Sequence, residues 1–204
     1  MIAIIDSGGA NIASVRFALE RLGVAAELTA DPNVIASAER VILPGVGAAP
    51  VAMAQLDAAG LIDCIRGLTQ PVLGICLGMQ LLFERSEEGD TPLLGVVGGT
   101  CAAFDASTGL TVPHMGWNRL LPADGAEEHP LLSGVASGTH VYFVHSYAAP
   151  VSDDTVASCD YGGAFTALVA RGNFMGAQFH PERSGPVGAR ILQNFITLPA
   201  GRKG

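Results

Sequence analysis

The chain has 204 residues, of which 49% are hydrophobic and 15% charged, and its formal net charge is -8. That length suits one domain able to bury its own core, and the apolar fraction excludes a disordered chain. The eleven Lys and Arg residues form no run, so binding to phosphate backbones is not expected and nucleic acid is set aside as a partner.

The opening Met1-Ile2-Ala3-Ile4-Ile5-Asp6 lacks a basic segment and meets Asp6 before its apolar run reaches signal-peptide length. No apolar run approaches the roughly 18 residues of a membrane span, so a soluble, cytoplasmic protein is expected. Residues 2–5 read as a buried strand, 12–22 as an amphipathic helix and 24–28 as a second strand. Residues 41–43 read as a strand stopped by Pro44-Gly45, 48–59 as a helix and 72–75 as another strand. This βαβ rhythm predicts a mostly parallel sheet with helices on both faces and ligands at the carboxyl ends of its strands.

After Leu93 the pattern shifts to short β-rich segments at 95–104, 139–144, 164–170 and 174–179, read as antiparallel additions. The polar, acidic stretch 122–130 reads as an exposed loop, and residues 187–196, after Pro186, as a helix covering the sheet. With no internal repeat or long linker, a single domain over 1–204 is expected. Cys64, Cys76, Cys101 and Cys159 lack C-x-x-C spacing, so neither a zinc site nor a disulfide framework is indicated, and no metal or cofactor is expected.

Gly74-Ile75-Cys76-Leu77-Gly78 follows an apolar strand and leads into Met79-Gln80-Leu81-Leu82-Phe83-Glu84, which has helical character. Strand, sharp turn and helix make a nucleophile elbow, with Cys where many hydrolases place Ser. A helix N-terminus behind Cys76 would favour its thiolate, and the Leu77 N–H would point toward a developing oxyanion. The same glycines could serve only a tight turn, so the elbow needs a base. His180-Pro181-Glu182 closes the last strand-like run. Residues two apart on an extended chain share a face, which would set Glu182 beside the His180 imidazole. His114, His129, His140 and His145 lack an acidic residue at that spacing in an apolar strand. Cys76, His180 and Glu182 therefore read as nucleophile, base and orienting carboxylate.

Gly74-Ile75-Cys76-Leu77-Gly78-Met79-Gln80 together with Phe179-His180-Pro181-Glu182 resembles the class I glutamine amidotransferases. The resemblance runs from residue 1 to the final helix and implies an α/β, flavodoxin-like fold and a Cys-His-Glu glutaminase. In that light Leu43-Pro44-Gly45-Val46-Gly47 corresponds to the oxyanion strand, which pairs Val46 with Leu77 as donors and sets Gly47 against glutamine. The resemblance also implies contacts to the substrate from Gln80, Glu88, Ser146 and Tyr147. Pro113-His114-Met115-Gly116-Trp117-Asn118 and Tyr142-Phe143-Val144-His145-Ser146-Tyr147 are similar to the branch that feeds ammonia to a (β/α)8-barrel cyclase in histidine biosynthesis. A heterodimer is implied; Trp117, the only Trp of the chain, reads either as a hydrophobic anchor at a protein interface or as a buried core residue. Two departures are visible: Asp6-Ser7-Gly8-Gly9-Ala10-Asn11 lacks an aromatic residue usual in that loop, and Arg183 replaces a frequent Lys. A glutaminase subunit of another synthase, such as anthranilate synthase, would carry a Gly-Pro-Gly-rich oxyanion segment. A cysteine hydrolase or chaperone of the same fold would lack His-Pro-Glu. A pure binding module would keep its activity without Cys76.

Overall fold

The computed structural model describes residues 1–6 and 12–199. The first loop singled out above, from Ser7 to Asn11, lies outside the described residues. The first half runs β1 (Ile2–Ile5), α1 (Ile12–Arg21), β2 (Ala26–Thr29), α2 (Pro32–Ser37), β3 (Arg40–Gly45), α3 (Ala49–Ala58), α4 (Ile62–Arg66), β4 (Val72–Cys76) and the single turn α5 (Leu77–Gln80). Short strands β5 (Arg85–Ser86), β6 (Thr91–Pro92) and β7 (Thr100–Ala103) follow, then the longer β8 (His114–Pro122) and β9 (Thr139–His145). The chain ends with β10 (Tyr147–Ala148), β11 (Thr155–Asp160), β12 (Ala164–Arg171), β13 (Phe174–Ala177) and α6 (Gly185–Thr197).

A nine-stranded sheet has the order β2-β1-β3-β4-β13-β12-β11-β8-β9, and a four-stranded sheet the order β10-β7-β5-β6. In the nine-stranded sheet the first five strands are parallel and the remaining pairings antiparallel. Strand side chains alternate between faces, so the all-apolar β1 supplies two cores at once. Ala3 and Ile5 join Val41 and Leu43 under Ile35, Leu56 and Ile65 of α2, α3 and α4. Ile2 and Ile4 join Ile42, Leu73 and Ile75 under Val15 and Leu19 of α1 and Leu192 and Phe195 of α6. A third core, with Phe143, Phe165 and Phe179, fills the antiparallel end. The expected two-sided parallel sheet with antiparallel additions is what forms.

Several local expectations differ from the structure. The helix read over residues 79–84 is one turn, α5, because the Leu81, Leu82 and Phe83 carbonyls accept N–H groups of residues 94–97 instead of continuing a helix. The strand read over 95–104 is confined to Thr100–Ala103. Helices α2 and α4 are too short for their periodicity to show. β8 escaped notice because its exposed face carries Met115, Trp117 and Leu121, so polar and apolar residues do not alternate. β11 is buried on both faces at Thr155, Val156 and Ala157 and has no alternation either.

The turn α5 lies directly on β3 and β4. A Cβ on Gly78 would overlap the Leu43 carbonyl oxygen, one on Gly74 would sit 2.5 Å from the Gly78 oxygen, and one on Gly45 would sit 2.6 Å from the Gly78 nitrogen. Here the glycines serve close approach rather than φ freedom. We expect Gly78→Ala to lower stability in urea denaturation by about 3 kcal/mol, the upper end for overpacking. Gly98→Ala, where a Cβ meets nothing within 4 Å, should be nearly neutral; equal losses at both positions would contradict the packing argument.

Candidate active site

Cys76 ends β4 at φ 55 and ψ -113, and Asp90 is the only other non-glycine residue at positive φ among those described. Such a conformation costs on the order of 1–3 kcal/mol and persists only where packing over-determines it. Here the close approach of Gly78, in the turn, to β3 and to Gly45 and Gly74 beneath it supplies that packing. The first N–H groups of α5, beginning at Leu77, have no intrahelical acceptor. A single turn has a weak dipole, so activation of the thiol falls on side chains more than the sequence suggested.

His180 arrives from the neighbouring strand. β13 runs parallel to β4 with Ala177 opposite Ile75, so the chain beyond β13 emerges beside Cys76. The His180 N–H donates to the Tyr142 carbonyl at 2.9 Å. The next residues, Pro181–Arg183, form a 3-10 turn rather than extended chain. Glu182 therefore reaches His180 through the curl of that turn, and not through the shared strand face expected from their spacing. The outcome is the same pair: His180 Nδ1 donates to Glu182 Oε1 at 2.8 Å, with both side chains almost fully enclosed. The turn is clamped by Ser184 Oγ, which donates to the His180 carbonyl at 2.7 Å and accepts the Tyr142 N–H at 2.9 Å. A Cβ on Gly188 of α6 would overlap the Pro181 carbonyl, so α6 presses against the same turn.

Burial works against a charge on His180, but contacts with the Cys76 thiol and with Glu182 outweigh it and push the imidazole up to about 10. Its Nε2 makes no hydrogen bond of ordinary geometry, yet lies close enough to Cys76 for the sulfur to favour the cation. At neutral pH the arrangement is an imidazolium held between a sulfur and a carboxylate.

Cys76 and His180 open into a cavity of about 360 Å³, also lined by Val46, Gly47, Leu77, Gln80, Glu88, Ser146 and Tyr147. Glu182 stands behind His180, outside that cavity. Gly45 pairs with Cys76 in the sheet, which brings Val46 to the elbow. Glu88 accepts the Ala49 N–H at the start of α3 at 2.7 Å, a favourable place for a carboxylate. Gln80 is buried, and its Nε2 donates to the Tyr147 carbonyl at 2.8 Å and to Gln178 Oε1 at 2.9 Å. Its amide oxygen is then the atom suited to meeting a ligand.

The sequence reading missed five residues that line the cavity or contact Cys76. Pro113, Val144, His145 and Arg183 line the cavity, and Gln178 donates to Cys76 Sγ at 3.9 Å. The available signal for Gln178 was a polar residue within the apolar run 174–179. His145 is no competing base, since burial holds it down to about 3 and its partner His114 down to about 4. No group of His, Cys, Asp and Glu side chains suited to a metal ion occurs among the described residues.

A buried thiol on a strained elbow, facing a carboxylate-backed histidine in a half-open cavity, is an arrangement for acyl transfer through a thioester. The family model of class-I glutamine amidotransferases matches residues 3–198, and the chain belongs to that family. Within it, the chain is 57% identical over 197 residues to the imidazole glycerol phosphate synthase subunit HisH of Xanthomonas campestris pv. campestris (strain 8004), covering 97% of each chain. It is 55% identical over 199 residues to the subunit of the same name from Xylella fastidiosa (strain Temecula1 / ATCC 700964), covering 98% of each. Among solved structures, a glutamine amidotransferase superposes with a TM-score of 0.71 at 18% identity, covering 96% of each chain. The glutaminase domain of Trypanosoma brucei CTPS reaches 0.66 at 14%, covering 96% of this chain and 93% of its own. These two likenesses speak to the fold alone.

The histidine environments are separable by a nuclear magnetic resonance titration of the imidazole C–H signals. His180 is expected to titrate near 10, His114 near 4 and His145 near 3. Glu182→Gln removes a carboxylate that favours the cation and should move the His180 midpoint down. A His180 midpoint near 6.5 in the unaltered protein would contradict the ion-pair description.

Proposed function

We propose that this protein is the glutaminase subunit of an imidazole glycerol phosphate synthase, acting through Cys76, His180 and Glu182. The observation that carries the reading is the geometry of the His180 imidazole, backed by Glu182 and set beside the sulfur on the elbow. The thiolate of Cys76 attacks the side-chain amide carbon of glutamine, and the N–H groups of Leu77 and Val46 hold the oxyanion. His180 gives its proton to the departing ammonia, leaving a γ-glutamyl thioester. It then takes a proton from water, which attacks the thioester and releases glutamate and the Cys76 thiolate, so that the proton taken from water restores the His180 imidazolium. Glu182 keeps the His180 tautomer and favours its cation. Glu88 provides negative charge for the substrate ammonium, while Gly47, Gln80, Ser146 and Tyr147 enclose the amino-acid end. No metal or organic cofactor enters these steps.

Ammonia released into bulk water is protonated and lost as a nucleophile, so the cavity must open onto a partner that receives it. The β8–β9 hairpin suits that task. Met115 is 67% exposed and Trp117 56% exposed, and Trp117 packs edge-on against Tyr142 with ring centroids 6.0 Å apart. Pro113 and Val144 carry the same hairpin into the cavity wall. The partner is a (β/α)8-barrel cyclase forming a heterodimer with this single-domain chain. It uses the ammonia and a ribulosyl imidazole carboxamide nucleotide to make imidazole glycerol phosphate and aminoimidazole carboxamide ribotide. Among the described residues no helix is long and apolar enough to cross a membrane, and we place the complex in the cytoplasm.

Mixed with the cyclase, Cys76→Ala should lower glutamine-dependent product formation by about three orders of magnitude or more, and leave the reaction from ammonium salt intact. Loss of both reactions, or of neither, would refute the assignment. Trp117→Ala should weaken binding to the cyclase by about 2 kcal/mol, the scale of a buried aromatic anchor, as read by calorimetric titration. Unchanged affinity would remove the hairpin from the interface.

A further inference from the structure

A chain of polar groups leads from β8 to the sulfur of Cys76, and backbone groups orient Asn118, His145 and Gln80 within it. Asn118 Nδ2 donates to the Asp160 carbonyl at 2.9 Å while its Oδ1 accepts the Arg119 N–H at 2.8 Å, so the amide cannot be turned over. The same Nδ2 faces His114 Nε2 at 3.3 Å, which must then be the acceptor. His114 therefore carries its proton on Nδ1 and donates it to His145 Nε2 at 3.0 Å. His145 in turn carries its proton on Nδ1 and donates it to the Tyr147 carbonyl at 2.8 Å. Gln80 Nε2 donates to that carbonyl too, and its second N–H goes to Gln178 Oε1. Gln178 then has only its Nε2 to turn toward Cys76 Sγ.

We propose that Gln178 is a further active-site residue whose amide N–H stabilises the ionised sulfur of Cys76. Gln80 is the positioning residue that keeps this N–H, and not the amide oxygen, facing the sulfur, and it shares the Tyr147 carbonyl with His145. Gln178 is fully buried, where an amide costs free energy unless its polar atoms are satisfied. A donor favours the charged form of the sulfur, whereas the amide oxygen in its place would oppose it. The two histidines suit the relay because both are neutral and flanked by aromatic rings. His114 stacks on Tyr161 with ring centroids 4.0 Å apart and on Phe143 at 5.0 Å.

This proposal rests on Cys76 being the nucleophile, and alkylation of Cys76 by uncharged iodoacetamide, followed by mass spectrometry, tests the two separately. The titratable and charged groups around the sulfur are His180 with Glu182 behind it and, around the cavity, His145, Glu88 and Arg183. At pH 7, Gln178→Leu should slow alkylation about tenfold, the scale of one hydrogen bond to a charged group, and Gln178→Glu should slow it further by placing a carboxylate beside the sulfur. The deficit should narrow at pH 10, where thiols ionise without assistance. That narrowing distinguishes loss of a charge-stabilising donor from a changed access path. Gln178→Glu preserves shape and carries the test should Gln178→Leu fail to melt cooperatively. Equal rates at pH 7, or an undiminished deficit at pH 10, would overturn the role of Gln178. An inert Cys76 in the unaltered protein would instead overturn the nucleophile reading.

Discussion

Because β13 lies parallel to β4 with Ala177 opposite Ile75, two distant segments of the chain leave the sheet side by side and in the same direction. The relation of nucleophile to base depends on that register. It places Gln178 and His180 beside Cys76, and it leaves Pro181–Arg183 free to curl under the imidazole. A slip of one residue would send the side chains of β13 to opposite faces. The register is held by packing on both sides: Val72 belongs to one core, and Leu73, Ile75 and Met175 to the other.

The site also shows how position alone separates chemically identical side chains. His180 and His145 both line the cavity, and both are buried. Glu182 and the sulfur of Cys76 stabilise a charge on the first, whereas the second meets a carbonyl, another imidazole and aromatic rings. The result is one cationic and one neutral histidine at neutral pH. A buried ion pair of this kind is weak evidence for stability, since its desolvation cost rivals its attraction. Together with the strained backbone of Cys76, it marks a region where stability is sacrificed for chemistry.

The β8–β9 hairpin carries two different surfaces on one piece of sheet. Its inward face holds His114, Phe143 and His145, all buried, and its outward face holds Met115 and Trp117, both exposed. Alternation along the strands makes this possible without any loop between the polar relay and the exposed aromatic patch. Asn118 sits at the junction, next to Trp117 in sequence and hydrogen-bonded to His114.

Much of this was readable from residues in order. The alternating apolar runs determined a parallel sheet covered on both faces, because only a doubly covered strand can be apolar throughout. Gly74-x-Cys76-x-Gly78 and His180-Pro181-Glu182 determined the candidate nucleophile, base and orienting carboxylate, because elbow geometry and tautomer control each demand particular residue types at short spacing. Local spacing could not reveal that α5 is one turn, since the acceptors of residues 94–97 end it from outside. Nor could it reveal β8, whose apolar exposed face conceals its period. It also misjudged how Glu182 meets His180. The orientation of Gln178 toward the sulfur, and the tautomers of His114 and His145, were decided by tertiary structure alone. An amide or imidazole has two nearly equivalent orientations, and only neighbours brought from other strands can choose between them.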